Sequence, residues 1–265
     1  MGENNFLGIR QKRGQITLFV ILSIVVVVLG ILVYMFYPQI SSTLGVSASN
    51  PEEFMQLCLE DTINENLDTI AMHGGSIEPE HYFLYDNTEL EYLCYTNEYY
   101  EPCVMQQPFL RQHIEEELMN SVDGLINECF DELESSYTRQ GYDVNLVRGA
   151  SSAKLLPKRV EVTLNSTLTL TKEDSERIQG FSVIANNNLY ELASIAISIL
   201  GFETKYGDSE TTDYMNYYHY LKVQKKKQGE GSTVYILINR DTEEMFQFAV
   251  RSYAWPSGYG FSEFT

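Results

Sequence analysis

The chain has 265 residues, 37 of them Asp or Glu and 18 Lys or Arg, giving a formal net charge of −19 at pH 7. No basic stripe exists that could neutralise phosphates, so nucleic acid is excluded as a partner. Four cysteines, Cys58, Cys94, Cys103 and Cys129, contain no C-x-x-C pair, which argues against a thiolate zinc site.

Arg10, Lys12 and Arg13 precede an uncharged run of 22 residues, Ile16 to Tyr37. At about 1.5 Å per residue such a helix is about 33 Å long, enough for a hydrocarbon core of about 30 Å. The run is too long for a secretory apolar region, and no small-residue cleavage site follows it. The pattern predicts a cytosolic leader over 1–14 and one transmembrane helix over 15–37. Between Pro38 and Leu110 there is no Lys or Arg but 13 Asp and Glu. The positive-inside bias therefore predicts a cytosolic N-terminus and an extracellular C-terminal domain. That domain carries 36 acidic and 15 basic residues, a balance that favours solubility and argues against lying flat on anionic lipid. Its compartment permits disulfides, and four cysteines allow three pairings.

Residues 38–49 are Ser-rich and read as a linker. The helical, Cys-containing region spans 50–141. Asn50 is a candidate N-cap, with Pro51 in the first turn and Glu52 and Glu53 complementing the dipole. Cys58/Leu59, Ile63, Leu67 and Ile70/Ala71 then step by three and four, and Gly74-Gly75 stops the helix. Ser76 to Gln107 reads as irregular and rich in Tyr and acid, with Cys94 and Cys103 close together inside it. A second helix opens at Pro108 or Phe109. Its apolar stripe is Ile114, Leu118, Val122, Leu125/Ile126, Cys129 and Leu133. Cys58 and Cys129 both lie on apolar helix faces, which predicts the bridges Cys58–Cys129 and Cys94–Cys103.

The α+β region spans 142–265. Asp143–Val147, Arg159–Asn165 and Thr167–Thr171 alternate as half-buried strands do. Phe181–Ile184 is a further candidate strand. Asn188 is expected to cap a helix from Leu189 to Leu200 that Gly201 ends, and Asp213 to cap a short helix through Tyr220. Lys225-Lys-Lys227 lies between a candidate strand and Gly229-Glu-Gly231 and reads as a solvated turn. Thr233–Asn239 and Met245–Arg251 form a hairpin about Arg240-Asp-Thr-Glu243.

No catalytic or cofactor-binding motif is present. His73, His81, His113 and His219 are scattered, without metal-ligand spacing. Acid pairs such as Glu52/Glu53 and Asp208/Glu210 are ordinary in so acidic a chain. Asn165-Ser-Thr167 is a sequon on the exterior side, modifiable only if the strand presents it to solvent.

Lys12-Arg13-Gly14-Gln15 followed by a long apolar helix resembles the class III signal peptide of archaeal type IV pilin-like proteins and archaellins. The resemblance covers Arg10 to Tyr37. It implies cleavage between Gly14 and Gln15 by a prepilin-type peptidase and packing of the helix against identical subunits. Bacterial pilins place a Glu five residues into the mature helix, where this chain has Phe19. The KRGQITLF start, the Cys-bearing helix ending in His73-Gly-Gly75, the second Cys-bearing helix and Phe246–Ser252 also resemble an uncharacterised group of single-pass surface proteins of small-genome archaea.

The sequence thus predicts an α+β protein: one N-terminal transmembrane helix, then a disulfide-braced ectodomain of two helices followed by a mostly antiparallel sheet with further helices. Its expected role is that of a membrane-anchored cell-surface structural or interaction protein, with a pilin-like filament subunit as one form. Expected partners are the lipid bilayer, identical subunits through the N-terminal helix, and other surface molecules. A membrane-tethered extracellular enzyme or solute-binding domain is the alternative.

Overall fold

A computed structural model describes residues 50–253. The leader, the transmembrane helix, the linker and the Gly14–Gln15 bond lie outside the described residues.

Helix α1 is Pro51–Met72. Its cap forms as the sequence predicts: the Asn50 side chain accepts a hydrogen bond from Glu52 N at 3.0 Å. Met55, Leu59, Ile63, Leu67 and Ile70 are fully buried along one stripe. The helix stops where Gly74 (φ 90°) and Gly75 (φ 120°) turn left-handed, a backbone that residues with a Cβ resist. Helix α2, Leu110–Arg139, buries Ile114, Leu118, Val122, Ile126, Cys129, Phe130, Leu133 and Tyr137. The disulfide Cys58–Cys129 joins the two helices, with Cα atoms 6.1 Å apart.

The stretch between the helices is not irregular. It contains β1 (Tyr82–Tyr85), β2 (Thr88–Tyr95) and β3 (Val104–Met105). Asp86 and Asn87 both have positive φ, the two-residue turn that a right-twisted hairpin favours. Cys94 pairs with Cys103 at a Cα separation of 5.3 Å, closing the β2–β3 connection. The order of elements is therefore not helices first and sheet second. The first three strands are laid down between the two helices.

After α2 come β4 (Asp143–Val147), β5 (Ser151–Leu156), β6 (Arg159–Thr171) and β7 (Ser175–Asn186). They form a four-stranded antiparallel sheet. The long β6 pairs along one edge with β7 and along the other with β5 and then β4. Its two expected segments are one strand with an irregularity between Leu164 and Thr167.

Helix α3 is Leu189–Tyr206 and α4 is Thr212–Tyr217. Two expected signals move. Asn187 rather than Asn188 accepts from Leu189 N, at 2.7 Å, while Asn188 donates to Glu244. Gly201 does not end α3. It sits inside the helix with open space beside it, and the left-handed Gly207 (φ 70°) ends the helix a turn and a half later. Helix α4 stops at Tyr217, short of Tyr220, and Asp213 lies in its first turn rather than at its cap.

β8 (Leu221–Lys227), β9 (Ser232–Asn239) and β10 (Met245–Arg251) complete a second sheet, in the order β1-β2-β10-β9-β8 with β3 beside β2. The fold of the described residues is α+β, with two sheets rather than one. The larger is mixed, because β10 pairs parallel to β2 and antiparallel to β9. Lys225–Lys227 is part of edge strand β8, not a turn. Lysines on an edge discourage pairing with another chain. α1 packs against β7 of one sheet and β10 of the other, and α3 packs against β10, β9 and β2. One core joins these helices to both sheets, with Tyr235, Phe246 and Phe248 fully buried in it.

Candidate functional site

The fold gathers Ser76, Glu91 and His113, which the sequence leaves scattered. Ser76 follows the glycine turn at the end of α1, Glu91 is on β2 and His113 on α2. Ser76 Oγ donates to Glu91 Oε2 at 2.5 Å and lies 2.8 Å from His113 Nε2. The serine has one proton, and the carboxylate takes it. His113 must then donate to Ser76, which leaves that ring nitrogen unable to act as its base. A hydrolytic triad places its acid on the other ring nitrogen, whereas Glu91 faces Nε2, at 3.9 Å. Gln107 Nε2 also donates to Glu91, at 3.2 Å, and Glu117 accepts from Ile77 N at 2.8 Å. Ser76 and Glu91 are both buried. The group is a polar clasp that holds the turn after α1 against β2 and α2.

A second cluster lies where α3 meets β8 and β9. Glu203 is 2% exposed and accepts a hydrogen bond from the buried Tyr235 hydroxyl. Burial pushes the Glu203 carboxyl above the usual carboxylate range, against the pull of the Tyr235 bond and Lys225. Burial and the adjacent Glu203 push the Tyr235 phenol upward. Lys225 lies over the Tyr235 ring, pairs with Asp208 and donates to Ser209 O at 2.9 Å. Burial alone would raise Asp208, but its hydrogen bonds and charge contacts with Lys225 and Lys227 hold it below its ordinary value. These contacts pin the segment after Gly207 against edge strand β8.

That pinned segment forms one wall of an open groove of about 420 Å³ lined by Ser198, Phe202, Glu210, Asp213, Tyr214, Tyr217 and Tyr218. Ser198 and Phe202 are one helical turn apart on α3, and Asp213 and Tyr217 one turn apart on α4. Ser198 Oγ and Tyr214 Oη are 2.7 Å apart and tie the walls together. Tyr217 is 78% exposed and Phe202 47% exposed, so large aromatic surfaces face solvent. The Tyr217 and Tyr218 rings meet edge to face at 4.7 Å. Glu210 accepts from Thr212 N at 2.8 Å, and bonding to Thr212 holds its carboxyl below the ordinary value. The groove therefore offers aromatic faces beside a firmly ionised carboxylate. Such a surface can hold a ligand, but it lacks a paired nucleophile and base.

Asn165 is exposed, at the irregular point of β6. The four cysteines form the bridges Cys58–Cys129 and Cys94–Cys103. Sequence reasoning missed the groove. Its trace is the run Asp213-Tyr-Met-Asn-Tyr-Tyr-His-Tyr220, whose tyrosines pass equally well for half-buried helix residues. Among the described residues no helix is long and apolar enough to cross a membrane, and no group of three or more His, Cys, Asp or Glu side chains is arranged to hold a metal ion.

Comparison of the chain with protein-family models, with curated proteins and with solved structures returns no significant match.

Proposed function

We propose that the chain is a membrane-anchored cell-surface protein whose acidic, disulfide-braced domain works by contact with other surface molecules. The observation that carries this reading is the tyrosine groove between α3 and α4, where Tyr217 and Phe202 stand exposed beside Glu210 and Asp213. Exposed aromatics with polar tips are the side chains that contact surfaces favour. The charged leader and the 22-residue apolar run support a single span with the N-terminus inside. The Lys-Arg-Gly-Gln motif supports a pilin-like form in which the leader is removed and the apolar helices of identical subunits associate.

A membrane-impermeant amine reagent applied to intact cells tests the arrangement. Lys222 and Lys226 are exposed on β8 and should be labelled before lysis. Labelling of these lysines only after lysis would overturn the extracellular assignment. N-terminal sequencing of the native protein tests the pilin-like form, which requires Gln15 as the first residue.

A further inference from the structure

We infer that the groove between α3 and α4 receives a lysine or arginine side chain presented by a partner protein. The inference rests on the contact function proposed above and names the chemistry of that contact. Tyrosine and phenylalanine rings carry negative potential on their faces and attract ammonium and guanidinium groups. The described domain uses this pairing repeatedly on its own cations. Arg111 lies 5.1 Å from the Tyr190 ring centre, Lys172 5.0 Å from Tyr142, Lys205 4.8 Å from Tyr206 and Arg251 5.6 Å from Tyr95. Among the described residues no cation lies over the rings of Phe202, Tyr214, Tyr217 or Tyr218.

The carboxylates complete the argument. Bonding to Thr212 holds the Glu210 carboxyl below its ordinary value, and Glu210 and Asp213 share the groove with the aromatics. Lys225, whose charge also acts on Glu210, pairs with Asp208, as does Lys227. A neutral ligand would stack on the rings and donate hydrogen bonds to the carboxylates, but would leave their negative charge unbalanced. A long basic side chain uses both, laying its methylenes on the rings and its charge against Glu210 and Asp213. The net charge of −19 adds long-range attraction for a basic partner. A groove of about 420 Å³ falls within the range of roughly 300–1,000 Å³ typical of sites for small ligands.

The test is a titration of the full-length protein in detergent, followed by the NMR signals of its tyrosine rings. The probes are acetyl-Gly-Arg-Gly-amide, the same peptide with citrulline in place of arginine, and diacetylchitobiose. Citrulline has nearly the shape of arginine without its charge. The arginine peptide should shift the Tyr214, Tyr217 and Tyr218 signals and bind about fivefold or more tightly than the citrulline peptide. Tyr217→Ala should weaken it about threefold to fivefold, and Asp213→Asn should weaken it while reducing its salt dependence. Both residues are exposed, so the variants should keep wild-type circular dichroism. Equal affinity for the citrulline peptide, preference for the saccharide, absence of binding by the arginine peptide, or undiminished affinity in Tyr217→Ala would each overturn the inference. Labelling of Lys222 and Lys226 on intact cells is read separately, so a failure of arginine binding can be told from a failure of the surface assignment.

Discussion

The side-chain amide of Gln56 on α1 closes both outward-facing backbone bonds of Ile184 on β7. Its Nε2 donates to Ile184 O at 2.8 Å, and its Oε1 accepts from Ile184 N at 2.9 Å. β7 is an edge strand of the four-stranded sheet, and an edge offers its free N–H and C=O groups to any passing strand. Gln56 satisfies one such pair as a neighbouring strand would. Gln56→Ala should lower stability by about 1–2 kcal/mol, for two lost hydrogen bonds near the surface. Urea midpoints would measure this. Light scattering at high protein concentration should show the variant associating more readily than the parent.

The two disulfides should differ in worth. Cys58–Cys129 has a sequence separation of 71 and Cys94–Cys103 one of 9. Chain-entropy reasoning gives about 4 kcal/mol for the first and about 2–3 kcal/mol for the second. The double variant Cys58→Ala/Cys129→Ala should therefore unfold at lower urea than Cys94→Ala/Cys103→Ala. The reverse order would mean that residual structure in the unfolded chain or strain in the folded one dominates.

Ser76 should behave as a structural hydroxyl. Ser76→Ala removes a donor from the buried Glu91 carboxylate and should cost about 1–3 kcal/mol, read as a shift in thermal unfolding. A fluorophosphonate probe should leave Ser76 unmodified in the folded protein. A Ser76 adduct found by peptide mass spectrometry would instead make it a nucleophile.

Glu203 gives a pH signature with a defined sign. Its folded-state pKa lies above the unfolded value because of burial. Between the two values the folded form holds the proton more often than the unfolded form, so lowering pH through that window favours folding. Glu203→Gln can still accept from the Tyr235 hydroxyl but cannot titrate. The stability of the parent relative to Glu203→Gln should therefore rise as pH falls from 7 toward the ordinary carboxylate range. Asp208, held low mainly by Lys225, works in the opposite sense and loses its contribution only at lower pH. Comparing parent with variant removes that shared background. Urea unfolding at pH 7 and pH 5 would measure the difference, and an unchanged gap would contradict the assignment.

Local pattern made the helices legible. Leu59, Ile63 and Leu67 on α1, and Ile114, Leu118 and Val122 on α2, repeat at a spacing that only a one-sided helix explains. The β9–β10 hairpin is equally local. β2 was hidden because it is buried on both faces, with Leu90, Tyr92, Leu93 and Cys94 all inside, so it shows no alternation. Its parallel partner β10 matches Tyr92 with Ala249, and nothing near either residue signals the other. The lysine end of β8 was hidden for a different reason. Its three consecutive lysines read as solvent, yet Lys225 is drawn over Tyr235 by contacts that exist only once α3 is docked. The groove is tertiary in the same way, since Ser198 and Phe202 gain meaning only when α4 folds across them.

The position of Cys58 bears on how the domain would carry a load. A pull entering at Asn50 travels along α1 and meets the bridge to Cys129 after eight residues, about 12 Å of helix. Unwinding can release only that short stretch before the tension crosses the sulfur–sulfur link into α2. The segment between the two cysteines, residues 59–128, which includes the β1–β2 hairpin and the Cys94–Cys103 lobe, is bypassed by the force. A domain tethered at this end would lengthen by no more than about 15 Å along residues 50–58 before it stiffened, as about 12 Å of helix became about 27 Å of extended chain, and the strands inside the loop would stay slack while their surroundings were pulled.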